Sequence, residues 1–464
     1  MSRTDSVVFT PAQIGQIEIK NRLVRSATYE NAAMGEGRVS DFLVDLYRSL
    51  AKGGVGLIIT GIAGVYAKAL NGHSLVRADD DSCIPSLARI PEVVHGADPD
   101  CRVVLQLHHP GRQVIHQQDA PRLLPFFPRA LMAYIQKHPE LLAPSQEAPP
   151  VVEPTAPSAL YDATFDRTPR ALNLDEIEEI IEAFADGIRR AQEAGFDGAQ
   201  IHAAHGWLLS SFLSPRTNKR EDRYGGSTEN RTKIIRDIYR RARGKVGDSF
   251  PILIKINTTD FLPGGTDLEE AVRVGKLLTE TGFSAIEASG GMWEALTRTE
   301  EELGWVPVLI PESRTGIRNK DQEAYFLPGA KALKEETKMT TILVGGLRSF
   351  TRIEEILNSK AVDFISMSRP LVRQPDLPNL WFSDKGPDKA ECVSCNACLP
   401  VGNAPLACRA KIARSGDERY GEKRSSCDRL MRMRNGRKIE KLIRTHLIRG
   451  KNTIKKTIRK KREG

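Results

Sequence analysis

Nowhere in this 464-residue chain do apolar residues run for anything near the roughly 20 positions that a membrane-spanning helix needs. Its opening, MSRTDSVVFTPAQIG, is polar and has no apolar core of the kind a secretory signal carries. No GxGxxG follows an early strand, and nothing after residue 410 shows a strand-plus-glycine dinucleotide motif. Cysteine is sparse at 7 residues, and 4 of them crowd into CVSCNACLPVGNAPLAC, while Cys83 and Cys101 stand alone. These absences exclude a membrane-embedded or disulfide-stapled protein and point to a cytoplasmic one whose thiols stay reduced. A chain of this length buries a large core without staples.

Acidic and basic residues are unevenly spread. From Gly421 onward there are 17 Lys and Arg against 4 Asp and Glu, a balance of +13. The whole chain carries +9, so the first 420 residues carry −4 and the basic character belongs to the tail. Leu430, Met433, Ile439, Leu442, Ile443 and Leu447 have helical spacing there, and Gly450 interrupts it. Three readings stand: a peripheral contact with anionic lipid, a nonspecific nucleic-acid patch, or a solvated tail. Apolar residues punctuate the charges and stacking aromatics are missing, which favours lipid over nucleic acid, and no specific nucleic acid is expected.

Eight short apolar, β-rich runs alternate with helical stretches: RLVRSAT, VGLIIT, RVVLQL, GAQIH, PILIKIN, SAIEAS, TILVGG and DFISMSR. The clearest helix is NLDEIEEIIEAFADGIRRAQEAG. Asn173 caps it with Glu176 three residues on, Ile177, Ile180, Ile181, Phe184 and Ile188 form one stripe, and Gly195 closes it. Eight strand–helix units predict a (β/α)8 TIM barrel rather than a doubly wound open sheet. Residues 119 to 157 are proline-rich and lie after the third strand, as a substrate-shaping lid or a tolerated insertion.

In such a barrel the chemistry sits at the C-terminal strand ends. His202 ends the fourth strand and His205 follows in the next turn, so two imidazoles can converge on one ligand oxygen as hydrogen-bond donors. Packing histidines are the bland alternative; a zinc pair lacks a third ligand at evident spacing.

The run GFDGAQIHAAHGWLLSSFLSPRTNKREDRYGGSTENR resembles the signature of the Old Yellow Enzyme family of FMN-dependent oxidoreductases. IEIKNRLVRSAT, VLQLHHPGR, APSAL, ILVGG and SRPLVRQPDL extend the resemblance in order over about residues 7 to 410. It implies an FMN site in which Ser26, Ala27, Thr28 and Gly61 line the ring and Gln106 meets the pyrimidine edge. Gly345, Gly346, Ser368 and Arg369 would hold the phosphate, and Lys255 stands where relatives place an arginine. It also implies hydride transfer from NAD(P)H through flavin N5 to an electron-poor acceptor, such as an α,β-unsaturated carbonyl held by His202 and His205.

Two positions depart from the family. Trp207 replaces the tyrosine that protonates the substrate carbon, and an indole N–H is not a usable acid; Tyr29, solvent or a different reaction would have to serve. Lys255 within a strand is also how a Schiff-base lyase would be built. Cys392, Cys395, Cys398 and Cys408 resemble the [4Fe–4S] ligand run of the dienoyl-CoA reductase and trimethylamine dehydrogenase branch, with one residue fewer between the second and third cysteines. Cluster, zinc and unliganded thiols all stay open, as does a separate electron-transfer protein docking near them. The expected organisation is a barrel over 1–385, a cysteine-rich extension over 386–415 and a basic helical tail over 416–464. A tail-tethered binding protein with a non-catalytic barrel is the remaining alternative.

Overall fold

The computed structural model describes residues 2–70, 75–116, 119–138, 152–402 and 404–410. The basic tail lies outside them, as do Cys427 and residues 139–151 of the proline-rich stretch.

All eight expected runs are strands: β1 (Leu23–Arg25), β2 (Leu57–Gly64), β3 (Arg102–His108), β4 (Gly198–Ala203), β5 (Ile252–Asn257), β6 (Ala285–Ser289), β7 (Thr341–Leu343) and β8 (Phe364–Met367). They pair in parallel in chain order, and β1 pairs with both β2 and β8, which closes a (β/α)8 barrel. Closure leaves no unpaired edge among these eight strands.

Helices α1 (Asp41–Lys52), α2 (Ile84–Ala97), α3 (Leu174–Glu193), α4 (Thr228–Val246), α5 (Leu268–Thr281), α6 (Leu327–Thr337) and α7 (Phe350–Asn358) form the outer layer. The start of α3 is set by a capping box. Asn173 Oδ1 accepts from the Glu176 amide at 2.9 Å, and Glu176 Oε2 accepts from the Asn173 amide at 2.8 Å. Its stripe of Ile177, Ile180, Ile181, Phe184 and Ile188 is fully buried against the barrel. Among the described residues no helix is long and apolar enough to cross a membrane.

Alternation along the strands sorts the barrel interior into layers. The floor is apolar: Val24, Leu57, Ile59, Val104, Leu253, Ala285, Ile342 and Phe364 pack with Ile14 and Ile19. Those two isoleucines come from a hairpin, Ala12–Ile14 with Ile17–Ile19, that plugs the N-terminal end. Two residues further along β1, β3, β5, β6 and β8 stand Ser26, Gln106, Lys255, Glu287 and Ser366, with Gln200 of β4 beside Gln106. Polarity therefore rises toward the C-terminal mouth.

Two segments cover that mouth. In the proline-rich stretch, Leu123, Phe126 and Phe127 pack with Phe165, Trp207, Trp293 and Leu296, and the Leu309 amide donates to the Phe126 carbonyl at 2.6 Å. The helix Arg129–Lys137 buries Leu131 and Ile135 against Leu399 and Val401. This packing puts the part of the stretch from Leu123 to Ile135 over the strand ends. The second segment, residues 386–402 and 404–410, lies on the barrel rim. The Phe350 amide donates to the Asp388 carbonyl at 2.7 Å and the Leu406 amide to the Glu30 carbonyl at 2.8 Å.

Because the hairpin closes the floor, Ile19→Ala should lower stability by about 2–5 kcal/mol, read as a drop in the urea midpoint with an unchanged slope. An unaltered midpoint would show that the plug adds nothing to the barrel.

Candidate active site

The middle layer is organised around one carboxylate. Glu287 has no exposed surface, yet its Oε1 accepts from Ser26 Oγ at 2.6 Å and Ser366 Oγ at 2.8 Å, and its Oε2 accepts from Gln200 Nε2 at 3.1 Å. Lys255 Nζ lies 3.3 Å from Oε1 and donates to Ser26 Oγ at 3.1 Å. Gln106 Nε2 continues the chain to Gln200 Oε1 at 2.7 Å. Burial pushes the Glu287 carboxyl up, but Lys255 and the three donors outweigh it and hold it below the usual range. Register explains the cluster: Lys255 sits between His202 and Glu287 across β4, β5 and β6.

Above this layer β4 ends at Ala203 and the chain turns through His205 and Gly206, both with left-handed backbone at φ 65° and 81°. That conformation is unusual for a histidine. It is held by Asn257 Oδ1, which accepts the His205 amide at 3.0 Å, and by Ser210 Oγ, which accepts the Gly206 amide at 3.1 Å. The turn brings the His202 and His205 rings to 5.1 Å at 75°, with His108 5.6 Å from His202. His205 Nε2 bonds Ser289 Oγ at 2.7 Å, and its Nδ1 faces Glu312 Oε1 at 3.6 Å. His202 Nδ1 and His108 Nδ1 are buried with no partner.

Burial is the main cause that lowers all four histidines of the region, His108 and His109 to about 3 and His202 and His205 well below 6.5. At neutral pH they are neutral imidazoles, each able to donate one N–H. The unpartnered nitrogens above Lys255 mark a place for a ligand that brings its own polar atoms.

The expected flavin residues divide between those that join the Glu287 layer and those that brace one another. Thr28 Oγ1 and Ser368 Oγ meet at 2.7 Å, tying the ends of β1 and β8. Ala27 packs against the apolar floor. Gly61 gives its amide to Glu30 Oε1 at 3.1 Å, and a Cβ there would lie 1.6 Å from Glu30 Oε2, so its lack of a side chain admits the buried Glu30–Arg25 pair. Gly345 and Gly346 follow β7 with φ of 134° and 74°, against Tyr325 and Phe326. Positive φ at both positions is a backbone conformation that glycine adopts without a Cβ penalty. Arg369 donates to the Arg314 carbonyl at 2.8 Å and to Asn396 Oδ1. A lysine cation, hydroxyl and amide donors, a glycine turn and orphaned imidazole nitrogens are a donor set that fits FMN.

Tyr29 takes a different course. Its hydroxyl donates to Asn31 Oδ1 at 2.8 Å, the residue is 41 % exposed, and it makes no hydrogen bond or ring contact with His202, His205 or Trp207. Trp207 instead packs edge-on to His108 at 4.7 Å and to Trp293 at 5.9 Å. Cys392, Cys395, Cys398 and Cys408 lie within electrostatic reach of one another, and burial raises Cys398 to about 12. Among the described residues, however, no three Cys, His, Asp or Glu side chains converge as a metal-ligand set. The thiols as arranged do not fit a cluster or zinc, and no step is derived through either.

Sequence reasoning missed Glu287, Gln200, His108 and Glu312. Glu287 and Gln200 had a signal, since each is a polar residue on a strand that otherwise reads as buried. Glu312 had none, because it stands in an irregular loop.

Fold and site together define a TIM barrel of the flavin-binding class. The chain belongs to the NADH:flavin oxidoreductase / NADH oxidase family, whose model matches residues 7–381. It is 32 % identical over 390 residues to an NADH oxidase of Thermoanaerobacter brockii, covering 84 % of this chain and 52 % of that protein. It is 30 % identical over 374 residues to an NADPH dehydrogenase of Halalkalibacterium halodurans, covering 80 % of this chain and 92 % of that one. The chain spans about half the length of the first curated relatives it matches, at 52 % and 51 %. Among solved structures it shares its fold with a 2-naphthoyl-CoA reductase in complex with 2-naphthoyl-CoA. There the TM-score is 0.71 at 22 % identity, over 89 % of this chain and 58 % of that one. It also shares its fold with morphinone reductase in complex with tetrahydroNAD, at TM-score 0.58 and 22 % identity, over 85 % and 97 %.

The four lowered histidines predict a pH dependence. Between about 6.5 and the depressed folded values the unfolded chain binds protons that the folded chain refuses, so stability is full above pH ~6.5 and falls as pH decreases. Urea midpoints from pH 8 to pH 5 should fall below ~6.5, and His108→Asn should reduce the slope by about 1.4 kcal/mol per pH unit. An unchanged slope in His108→Asn would contradict the neutral, buried state of this ring.

Proposed function

We propose that this chain is an FMN-dependent oxidoreductase for which NAD(P)H would be the hydride donor and an electron-poor α,β-unsaturated carbonyl the acceptor. The observation that carries the reading is the unpartnered Nδ1 of His202 beside His205, buried at the strand ends above a lysine–carboxylate pair. When bound, FMN supplies a two-electron carrier that accepts and returns hydride.

The chain's own residues supply position and charge. Lys255 offers a cation whose place is fixed by Glu287 and Ser26, so negative charge developing near it is stabilised without rearrangement. Gly345, Gly346, Ser368 and Arg369 would hold the phosphate, Ser26, Ala27, Thr28 and Gly61 the ring, and Gln106 the pyrimidine edge. Two neutral imidazole N–H groups would polarise the acceptor oxygen, and their neutrality suits donation without trapping an anion. Trp207, Trp293 and the proline-rich stretch exclude water from above.

The pairing of Lys255 with a buried carboxylate also argues against a Schiff-base lyase, because an ammonium held by Glu287 is not a free amine nucleophile. We place the barrel within 1–385 and treat the cysteine segment, 386–415, and the tail, 416–464, as appendages. An electron-transfer partner at the former and a lipid contact at the latter extend this proposal.

The test is the visible spectrum of protein purified without oxygen, with cofactor release and iron and sulfide analysis on the same sample. Released FMN is the expected outcome; colourless protein that cannot be reconstituted with FMN would overturn the reading. The double variant His202→Ala/His205→Ala should keep FMN and lose the long-wavelength charge-transfer band formed with a phenol such as p-hydroxybenzaldehyde. An undiminished band would remove the role given to the pair.

A further inference from the structure

An alkene acceptor that receives hydride at one carbon must receive a proton at the other, and the groups expected to supply it are poorly placed. Trp207 has no acidic proton. Tyr29 gives its hydroxyl hydrogen to Asn31. His202 and His205 are neutral, and a neutral imidazole is a very weak acid. Asp260 is buried but is committed to Asn257 and the Thr266 amide, at 2.8 and 2.7 Å.

Glu312 is a carboxyl beside the imidazole pair. It stands on the long loop between β6 and α6, with Oε1 3.6 Å from His205 Nδ1 and Oε2 buried without a partner. Its backbone carbonyl accepts the Tyr325 hydroxyl at 3.0 Å, which anchors the loop beside Gly345 and Gly346. The cations within electrostatic reach are Lys255 and Arg369, two of the residues expected to hold the cofactor; the neutral His205 ring and the Tyr325 hydroxyl are the other titratable groups beside it. It therefore lies beside the imidazole pair and within electrostatic reach of two of the expected cofactor residues. Its side chain is 28 % exposed, which leaves a route to water.

We propose that Glu312 is the catalytic acid of this site, delivering the proton to the acceptor carbon opposite the hydride. This rests on the reading of the site as an FMN-dependent reductase. The step balances. The acceptor C=C π bond breaks and one C–H bond forms from the hydride that NAD(P)H supplies through the flavin. The second C–H bond forms as the Glu312 O–H bond breaks, and the carboxylate left behind, near Lys255 and Arg369, regains a proton from water. Burial pushes the Glu312 carboxyl up to about 7 despite those two cations, so at neutral pH a large fraction of it carries the proton it must give. A general acid titrating near the working pH is the most effective kind.

The experiment compares the FMN-loaded protein with E312Q and E312D, using 2-cyclohexen-1-one as acceptor and NADH or NADPH as donor. In the wild type, the rate of the acceptor-reducing half-reaction should fall as pH rises through about 7. E312Q should bind FMN to the same level, lose about 100-fold in that rate and lose the pH limb. E312D should recover part of the rate together with the limb. Independently of turnover, infrared difference spectra between pH 6 and pH 8 should show a protonated carboxyl band that E312Q removes. An E312Q protein with undiminished rate and an intact pH limb would overturn the role of Glu312 while leaving the reductase reading in place. Wild-type protein that binds FMN and reduces no enone would overturn both.

Discussion

The upper half of this barrel depends on one buried carboxylate. Glu287 is surrounded by β-strands and shielded from water, so its charge is tolerated only because Lys255, Ser26, Ser366 and Gln200 converge on it. Those partners come from β5, β1, β8 and β4. An uncompensated charge at this depth would cost several kcal/mol, so the strands carrying the partners are held in one register. The same pair pins Lys255 at the base of the mouth, where a cation would suit the proposed flavin.

Above that layer the controlling effect is desolvation. The His202–His205 turn keeps a strained backbone at His205 because Asn257 accepts its amide, and the rings are shut in by His108, Trp207, Trp293 and the covering segments. Desolvation strips the rings of charge and raises Glu312 on the loop above. One physical cause therefore sets both the neutral donors and the protonated acid of the proposed reaction.

Departures from the family pattern acquire a rationale in this arrangement. Tryptophan at 207 replaces an acid with a wall, and it packs against Trp293 and the proline-rich stretch rather than facing Tyr29. Lysine at 255 keeps a cation but gives up the forked geometry of arginine, and Glu287 takes the ammonium from the side instead. The four cysteines gather on the rim without forming a ligand set among the described residues, beside Arg348, which donates to the Cys392 carbonyl, and Arg373, which donates to Cys408 Sγ.

Much of this was written locally. The eight strands, the capped helix α3 and the His202–His205 pair were legible because alternation, capping and strand-end position act within a few residues of chain, where physical rules are short-ranged. Glu287 and Gln200 were half-legible, as polar residues in buried strands whose partners could not be seen. What only the tertiary structure decided is which charges meet: Lys255 with Glu287 across β5 and β6, Tyr29 with Asn31 rather than the histidines, and Glu312 over His205. Those meetings join residues from separate strands and loops. Proximity and burial, which set protonation and reactivity, are properties of the closed barrel and not of any one segment.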